Sequence, residues 1–398
     1  MKITLADWQP TDRQKKLVND VLNTGRLTYG PYTRMLEQKF AKLHNFKYAI
    51  FTNSGTSALQ IAWHFLKMRY KWEDGDEVIV PAITFVATIN VLLQNRLKPI
   101  LVDIDPDTFN INPELIAKKI TKRTRAICPV DLLGRPVDIE PIKKIARKYR
   151  LKIVEDSCET MFVNHPNEKP VGSEANIACY SSYMAHIIST GVGGFLCTND
   201  SYAYKYLRSM IWHGRDNHYL TIDDSRPTRE NIQARFRFDK PGYSYRLTEM
   251  EAALGIDELD RAGEIIQRRK NNAEQLYVLL SEFDQFIISP EIIPDNVWMF
   301  FPIVCKDKVD RDKFCEFLEK KGIQTRYIMP FINQPIFKGL WNPQDYPVAQ
   351  WVDKKGFLIG CHQFLTNKDL EYVAKCFKEY FTKPIVIRPH MFIGDKND

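Results

Sequence analysis

The sequence predicts an α/β fold, a mostly parallel sheet flanked by helices and followed by a smaller α+β domain. From about residue 48 to 200, short β-branched runs alternate with amphipathic helical patterns, as βαβ units require. A long polar helical stretch then gives way to a C-terminal portion in which strand-like and helical runs mix. The length, 398 residues with 44% hydrophobic content, exceeds one small core.

Five runs read as strands: Tyr48–Thr52, Glu77–Pro81, Pro99–Asp103, Thr124–Val130 and Leu151–Glu155. Between them lie helices over Gly55–Arg69, entered through a glycine-containing turn, over Pro113–Ile120, and over Asp138–Tyr149, whose first residue supplies a cap. One helix over Asp257–Phe283, with charge pairs such as Glu264 and Arg268, reads as a connector. Beyond it, Val297–Cys305 and Ile323–Arg326 are strand-like, while Asp310–Lys321 and Asn367–Phe381 are helical. The expected organisation is a large α/β domain with an N-terminal helical segment over 1–256, a connector and small domain over 257–385, and a mobile polar tail over 386–398.

No run of about 18 apolar residues occurs, and the opening Met1-Lys2-Ile3-Thr4-Leu5-Ala6-Asp7 lacks a secretory apolar stretch, so the expectation is a cytoplasmic protein with no membrane partner. The cysteines, Cys128, Cys158, Cys179, Cys197, Cys305, Cys315, Cys361 and Cys376, are scattered without a CxxC pair, as reduced buried thiols are. This pattern indicates neither a metal site nor a disulfide framework. The formal charge of +7 is interleaved with 49 acidic residues and forms no basic stripe beside aromatics, which argues against nucleic acid. Attraction of a small anion such as a nucleotide or phosphate accounts for it.

Three segments carry chemistry. Asn53-Ser54-Gly55-Thr56-Ser57-Ala58-Leu59 lies where a strand ends and a helix begins, so free N–H groups and a positive dipole end suit a phosphate. Alone, it reads more readily as an ordinary capped helix after a tight turn. Glu155-Asp156-Ser157-Cys158-Glu159 ends an apolar strand, where carboxylates have no packing reason to exist. A buried Asp there can hold a protonated pyridine nitrogen; a helix cap or a solvated sheet-edge Asp is the competing explanation. The third segment, Tyr180 to Gly194, combines Ser181, a candidate phosphate hydroxyl, with His186 and the glycine-rich Gly191-Val192-Gly193-Gly194.

The order and spacing of these segments resemble the DegT-type aminotransferase family, the sugar-modifying branch of fold-type-I pyridoxal phosphate enzymes. The resemblance runs from about Gly30 to Lys383 and includes Gly75–Pro81 leading to Thr84-Phe85-Val86-Ala87-Thr88, Val130–Gly134, and Gly242–Glu249 before Ala252-Ala253. It implies that Gly55, Thr56 and Ser181 hold the cofactor phosphate, that Phe85 stacks on the pyridine ring, that Asp156 pairs with its nitrogen and that Glu159 lies near the ring hydroxyl. It also implies a homodimer with a shared active site, in which the neighbouring subunit reaches the phosphate through Gly242–Arg246. Ser244 stands there where relatives commonly have Asn.

The large departure is His186, because aminotransferases of the family carry a lysine there that anchors the cofactor covalently. Imidazole cannot form that link, so pyridoxal or pyridoxamine phosphate is expected to bind non-covalently, with His186 as a general base of near-neutral pKa. This exchange marks the family's sugar 3-dehydratase branch, which the Glu155–Glu159 segment and Gly360-Cys361-His362-Gln363 also resemble. The implied reaction removes the C3 hydroxyl of a nucleotide-linked 4-keto-6-deoxy sugar, with L-glutamate as the donor that restores pyridoxamine phosphate. Relatives with an iron-sulfur cluster carry clustered cysteines soon after a Gly-Arg-Asp segment. Here Gly214-Arg215-Asp216 is followed by none, residues 198–304 lack cysteine, and a cluster is not expected. Arg215, Arg326 and His362 are candidate substrate contacts, and Asp131 stands where many relatives have His. The competing functions are a nucleotide-sugar aminotransferase, native or with its lysine exchanged, and a degenerate pyridoxal phosphate sensor.

Overall fold

Strands β1 (Tyr48–Thr52), β2 (Glu77–Pro81), β3 (Lys98–Val102), β4 (Thr124–Ile127), β5 (Lys152–Asp156), β6 (Ile177–Ser181) and β7 (Gly194–Thr198) form one sheet in the order β1-β7-β6-β5-β4-β2-β3. Only β7 runs against the others. The computed structural model describes residues 2–215, 228, 229, 233, 237–294, 296–329 and 331–382, so the expected tail over 386–398 lies outside the described residues. Strands β2, β6 and β7 are buried along their whole length because helices cover both faces. That double burial is why their sequences read as continuous apolar runs. Helices Gly55–Tyr70, Val86–Gln94 and Ile139–Tyr149 connect successive strands, and Asp138 caps the last as expected.

A second, antiparallel sheet has the order β10-β11-β9-β8, from β8 (Ile287–Ile288), β9 (Phe301–Cys305), β10 (Arg326–Tyr327) and β11 (Gly356–Ile359). The chain's beginning lies beside it: Ile3 N donates to Gly322 O at 2.8 Å, and Gln324 N donates to Ile3 O at 2.8 Å. Leu5, Met299, Phe300 and Leu358 join the core of the first sheet, so the two sheets share packing. No described helix is long and apolar enough to cross a membrane.

Five expectations change, the first being the strand read over Thr124–Val130, which ends at Ile127. The connector is two helices, Glu249–Asp260 and Ala262–Leu280, because Arg261 (φ −99°, ψ 5°) leaves helical geometry and folds its guanidinium back onto Asp257 and Glu258 at 2.9 and 3.0 Å. The segment over Pro113–Ile120 becomes a short α-helix to Ile116 and a 3₁₀ turn. The strand expected over Val297–Cys305 begins only at Phe301, since Val297 and Met299 spend their N–H groups on Gly134 and Leu133 carbonyls at 3.0 and 3.1 Å. Ile323 pairs with Ile3, and the ladder expected over Ile323–Arg326 falls on Arg326–Tyr327.

Candidate active site

Thr52, Asp156 and Ser181 end parallel strands at one edge of the large sheet, the edge where α/β folds place ligands. A cavity of about 710 Å³ opens there, lined by Gly55, Thr56, Phe85, Asp156, Glu159, Ser181, His186 and Arg326 among others.

Its floor is the start of helix Gly55–Tyr70. Ser54 caps the helix by accepting from Ser57 N at 3.0 Å, which leaves the Gly55 and Thr56 N–H groups without intrahelical acceptors. A side chain at residue 55 would meet Cys158 Sγ at 2.6 Å and Ser181 Cβ at 3.0 Å. Glycine is therefore what brings this positive helix end against the Ser181 hydroxyl, and the two together form a cradle suited to a phosphate.

Asp156 is buried at the end of β5. Thr88 Oγ1 donates to its Oδ2 at 2.7 Å and Cys158 N donates to its Oδ1 at 3.2 Å, while Thr84 and Thr88 hydroxyls lie 2.8 Å apart. Burial pushes the Asp156 carboxyl up despite these donors. No cation among the described residues pairs with it, so the donor set fits a protonated pyridine nitrogen. Phe85 stands on the cavity wall 56% exposed, an unusual position for a large aromatic that has only a structural role. Glu159 accepts from Leu133 N at 2.9 Å, and burial raises it to about 7.

His186 is partly exposed to the cavity, its ring edge-on to Tyr183 at 6.0 Å. Its N–H donates to Tyr183 O at 2.9 Å, and its Nδ1 is buried without a hydrogen-bond partner. Its carbonyl accepts from Arg269 Nη2 at 3.2 Å. Burial, reinforced by the Arg269 charge, lowers the imidazole to about 4 rather than the near-neutral value expected from sequence. The ring is therefore neutral at pH 7. Among the described residues that line the cavity there is no lysine.

Arg326 lines the cavity from β10 and donates to Thr325 O at 2.7 Å. Arg215, Ser244 and His362 fall outside the lining. Arg215 places its guanidinium over Phe238 at 5.6 Å. His362 is buried beneath Thr4, with Nε2 at 3.3 Å from the hydroxyl, and burial lowers it to about 4. Ser244 accepts from Arg246 Nη2 at 2.9 Å, while its neighbour Tyr245 receives Asn53 N–H at 2.9 Å, which ties the Gly242–Arg246 segment to the phosphate turn. Sequence reasoning missed Thr88 and Arg269. Thr88 carried a signal, a buried polar residue one helical turn after Thr84; Arg269 carried none.

Residues 9–378 match the DegT/DnrJ/EryC1/StrS aminotransferase family. The chain belongs to that family. Its fold is that of fold-type-I pyridoxal phosphate enzymes. It is 31% identical over 385 residues to the GDP-4-keto-6-deoxy-D-mannose 3-dehydratase of Escherichia coli O55:H7, covering 92% of this chain and 97% of that one. It is 28% identical over 379 residues to the GDP-perosamine synthase of Escherichia coli O157:H7, covering 94% and 98%. A solved structure of GDP-4-keto-6-deoxymannose-3-dehydratase with a trapped PLP-glutamate geminal diamine superposes with a TM-score of 0.84 at 28% identity, covering 94% of this chain and all of that one.

Proposed function

We propose that this chain dehydrates a nucleotide-linked 4-keto-6-deoxyhexose at C3, using pyridoxamine phosphate as cofactor and L-glutamate as the donor that restores it. The observation that carries this reading is His186 on the wall of a family cofactor cavity with no lysine among its described lining residues. When bound, pyridoxamine phosphate supplies an amine for the C4 ketone and an electron sink. Gly55, Thr56 and Ser181 hold its phosphate, and Phe85 covers its ring. Asp156 accepts from the pyridine nitrogen and keeps that nitrogen protonated. Glu159 stands beside the ring hydroxyl.

His186, neutral at pH 7, takes the proton from the cofactor's C4′ and supplies a proton to the departing C3 hydroxyl. A lysine amine at this position would carry that proton to the sugar C4 and favour amine transfer. An imidazole leaves the cofactor without a covalent anchor, so non-covalent contacts, the phosphate cradle and Asp156 foremost, bear its affinity. Arg326 at the mouth suits the substrate's diphosphate. The products are a 3-deoxy-4-keto sugar nucleotide, ammonia and pyridoxal phosphate. Two chains form a homodimer whose Gly242–Arg246 segments, Ser244 included, reach the neighbouring cradle, and the reaction serves deoxysugar biosynthesis in the cytoplasm.

The test is multiple turnover with glutamate, cofactor and a panel of GDP-, CDP- and TDP-linked 4-keto-6-deoxy sugars, followed by mass spectrometry. Glutamate-dependent loss of one oxygen from one member of the panel supports the reading. Binding of cofactor with no turnover of glutamate supports the sensor.

A further inference from the structure

Asp131, Glu155 and His165 have no part in the reaction as proposed, yet all three are buried and their polar atoms lie within 4.8 Å of one another behind Asp156. We propose that they form a positioning triad that shares one buried proton between its two carboxyl groups and fixes the direction in which Asp156 presents its carboxylate to the cofactor. The inference rests on the role of Asp156 given above.

Both ring nitrogens of His165 face acceptors: Nε2 lies 2.9 Å from Glu155 Oε1 and Nδ1 lies 3.0 Å from Val137 O. That arrangement suits an imidazolium with two donors. Gly172 N approaches Nε2 at 3.3 Å but gives its shorter bond, 2.7 Å, to Glu155. Glu155 Oε2 is buried and has no donor among the described residues. Two carboxylates cannot both stay charged at this separation without water, so a proton on Asp131 supplies the missing donor. Burial accordingly pushes Asp131 well above the usual carboxylate range, and Glu155 draws His165 up to about 9. Cys128 and Tyr180, close to the pair, and Cys179, close to Asp156, are pushed up chiefly by burial and stay neutral.

The triad grips Asp156 from both sides. Asp131 N donates to the Asp156 carbonyl at 3.0 Å, and Ser157 Oγ donates to Asp131 Oδ2 at 2.7 Å. Glu155, the preceding residue, is held by His165 and Gly172. Asp131 is fixed in turn by Val137 N at 2.8 Å. Residues 155 and 157 are thus both tied down, which fixes the backbone from which the Asp156 side chain projects toward Thr88.

Two readouts test this on the full chain. In pyridoxamine-phosphate-loaded protein labelled with ¹⁵N-histidine, the His165 signal, assigned by its loss in His165→Gln, is expected to remain doubly protonated at pH 8. Titration at or below the ordinary imidazole value of about 6.5 overturns the triad. In binding titrations, Asp131→Asn, an amide in place of a protonated carboxyl, is expected to hold pyridoxamine phosphate within about twofold of the parent, whereas Asp131→Ala weakens it by about tenfold or more. Equal affinity of the two variants overturns the proposal, as does a stoichiometric divalent metal in the purified protein. Should Asp131→Ala fail to fold by circular dichroism, the His165 titration decides. Neither readout uses sugar, so a failure to dehydrate sugars sinks the proposed reaction and leaves these outcomes standing.

Discussion

Arg269 Nη2 donates to the backbone carbonyl of His186 at 3.2 Å, while its Nη1 reaches the carbonyls of Trp298 and Met299 at 3.3 and 3.1 Å. It is buried and forms no ion pair among the described residues; these carbonyls serve Nη1 and Nη2, while Nε has no acceptor among the described residues. Helix Ala262–Leu280 thereby anchors the His186 loop to the segment entering β9. Arg269→Met takes a donor from these three carbonyls, of which Trp298 O keeps Cys361 Sγ at 3.3 Å, and is expected to destabilise the protein by about 2–4 kcal/mol. Arg269→Lys keeps the charge and some donors, and should lose less. Urea unfolding measures both.

Burial chiefly, and the same charge in a smaller part, set the pH response. His186 is lowered to about 4, so its base form persists as pH falls until that value is reached. kcat/KM is expected to show no acid limb near 6.5, the ordinary imidazole value. Removing the positive charge in Arg269→Met should move the limb upward, because one of the two influences that disfavour imidazolium is gone. A pH profile of both proteins above pH 5 checks this.

Asp156 and Thr88 form one unit. Asp156→Asn removes the charge that holds a protonated pyridine nitrogen and should cut kcat by on the order of a hundredfold. Thr88→Val removes one donor to that carboxylate and should weaken cofactor binding by about tenfold, with the sugar KM little changed. Single-turnover kinetics and cofactor titration separate the two effects.

Gly55→Ala places a methyl 2.6 Å from Cys158 Sγ and 3.0 Å from Ser181 Cβ. The helix start must retreat from the cradle, so pyridoxal phosphate affinity is expected to fall at least tenfold, which is about 1.4 kcal/mol. Phosphate-cradle damage predicts a comparable loss for inorganic phosphate as a competitor, measured in the same titration.

Much of the site was legible because its parts sit at places that sequence marks. Asp156 and Ser181 end apolar runs, Gly55 opens a capped helix, and each such terminus faces the same edge of a parallel sheet. Arg269 was illegible for the converse reason. It lies 83 residues from His186 within a polar helix, where charged residues read as solvated, and only tertiary packing turns it inward. The break at Arg261 was hidden likewise, since a charged pattern continues across it. The motif resemblance of His362 carried no information on burial, and the fold places it against Thr4, outside the cavity lining. The stiffening of β5 by Asp131 needed the register of two strand ends, which spacing along the chain does not encode.

The proposed reaction turns on the imidazole at position 186, which directs it to elimination. The most direct measurement is a single turnover of pyridoxamine-phosphate-loaded protein with the accepted 4-keto-6-deoxy sugar nucleotide, comparing the parent with His186→Lys by product mass. The parent product is expected to have lost the C3 oxygen and gained no nitrogen. His186→Lys is expected to suppress this product and to retain cofactor through a borohydride-reducible bond. A parent product that keeps its oxygen and carries an amine at C4 would contradict the account.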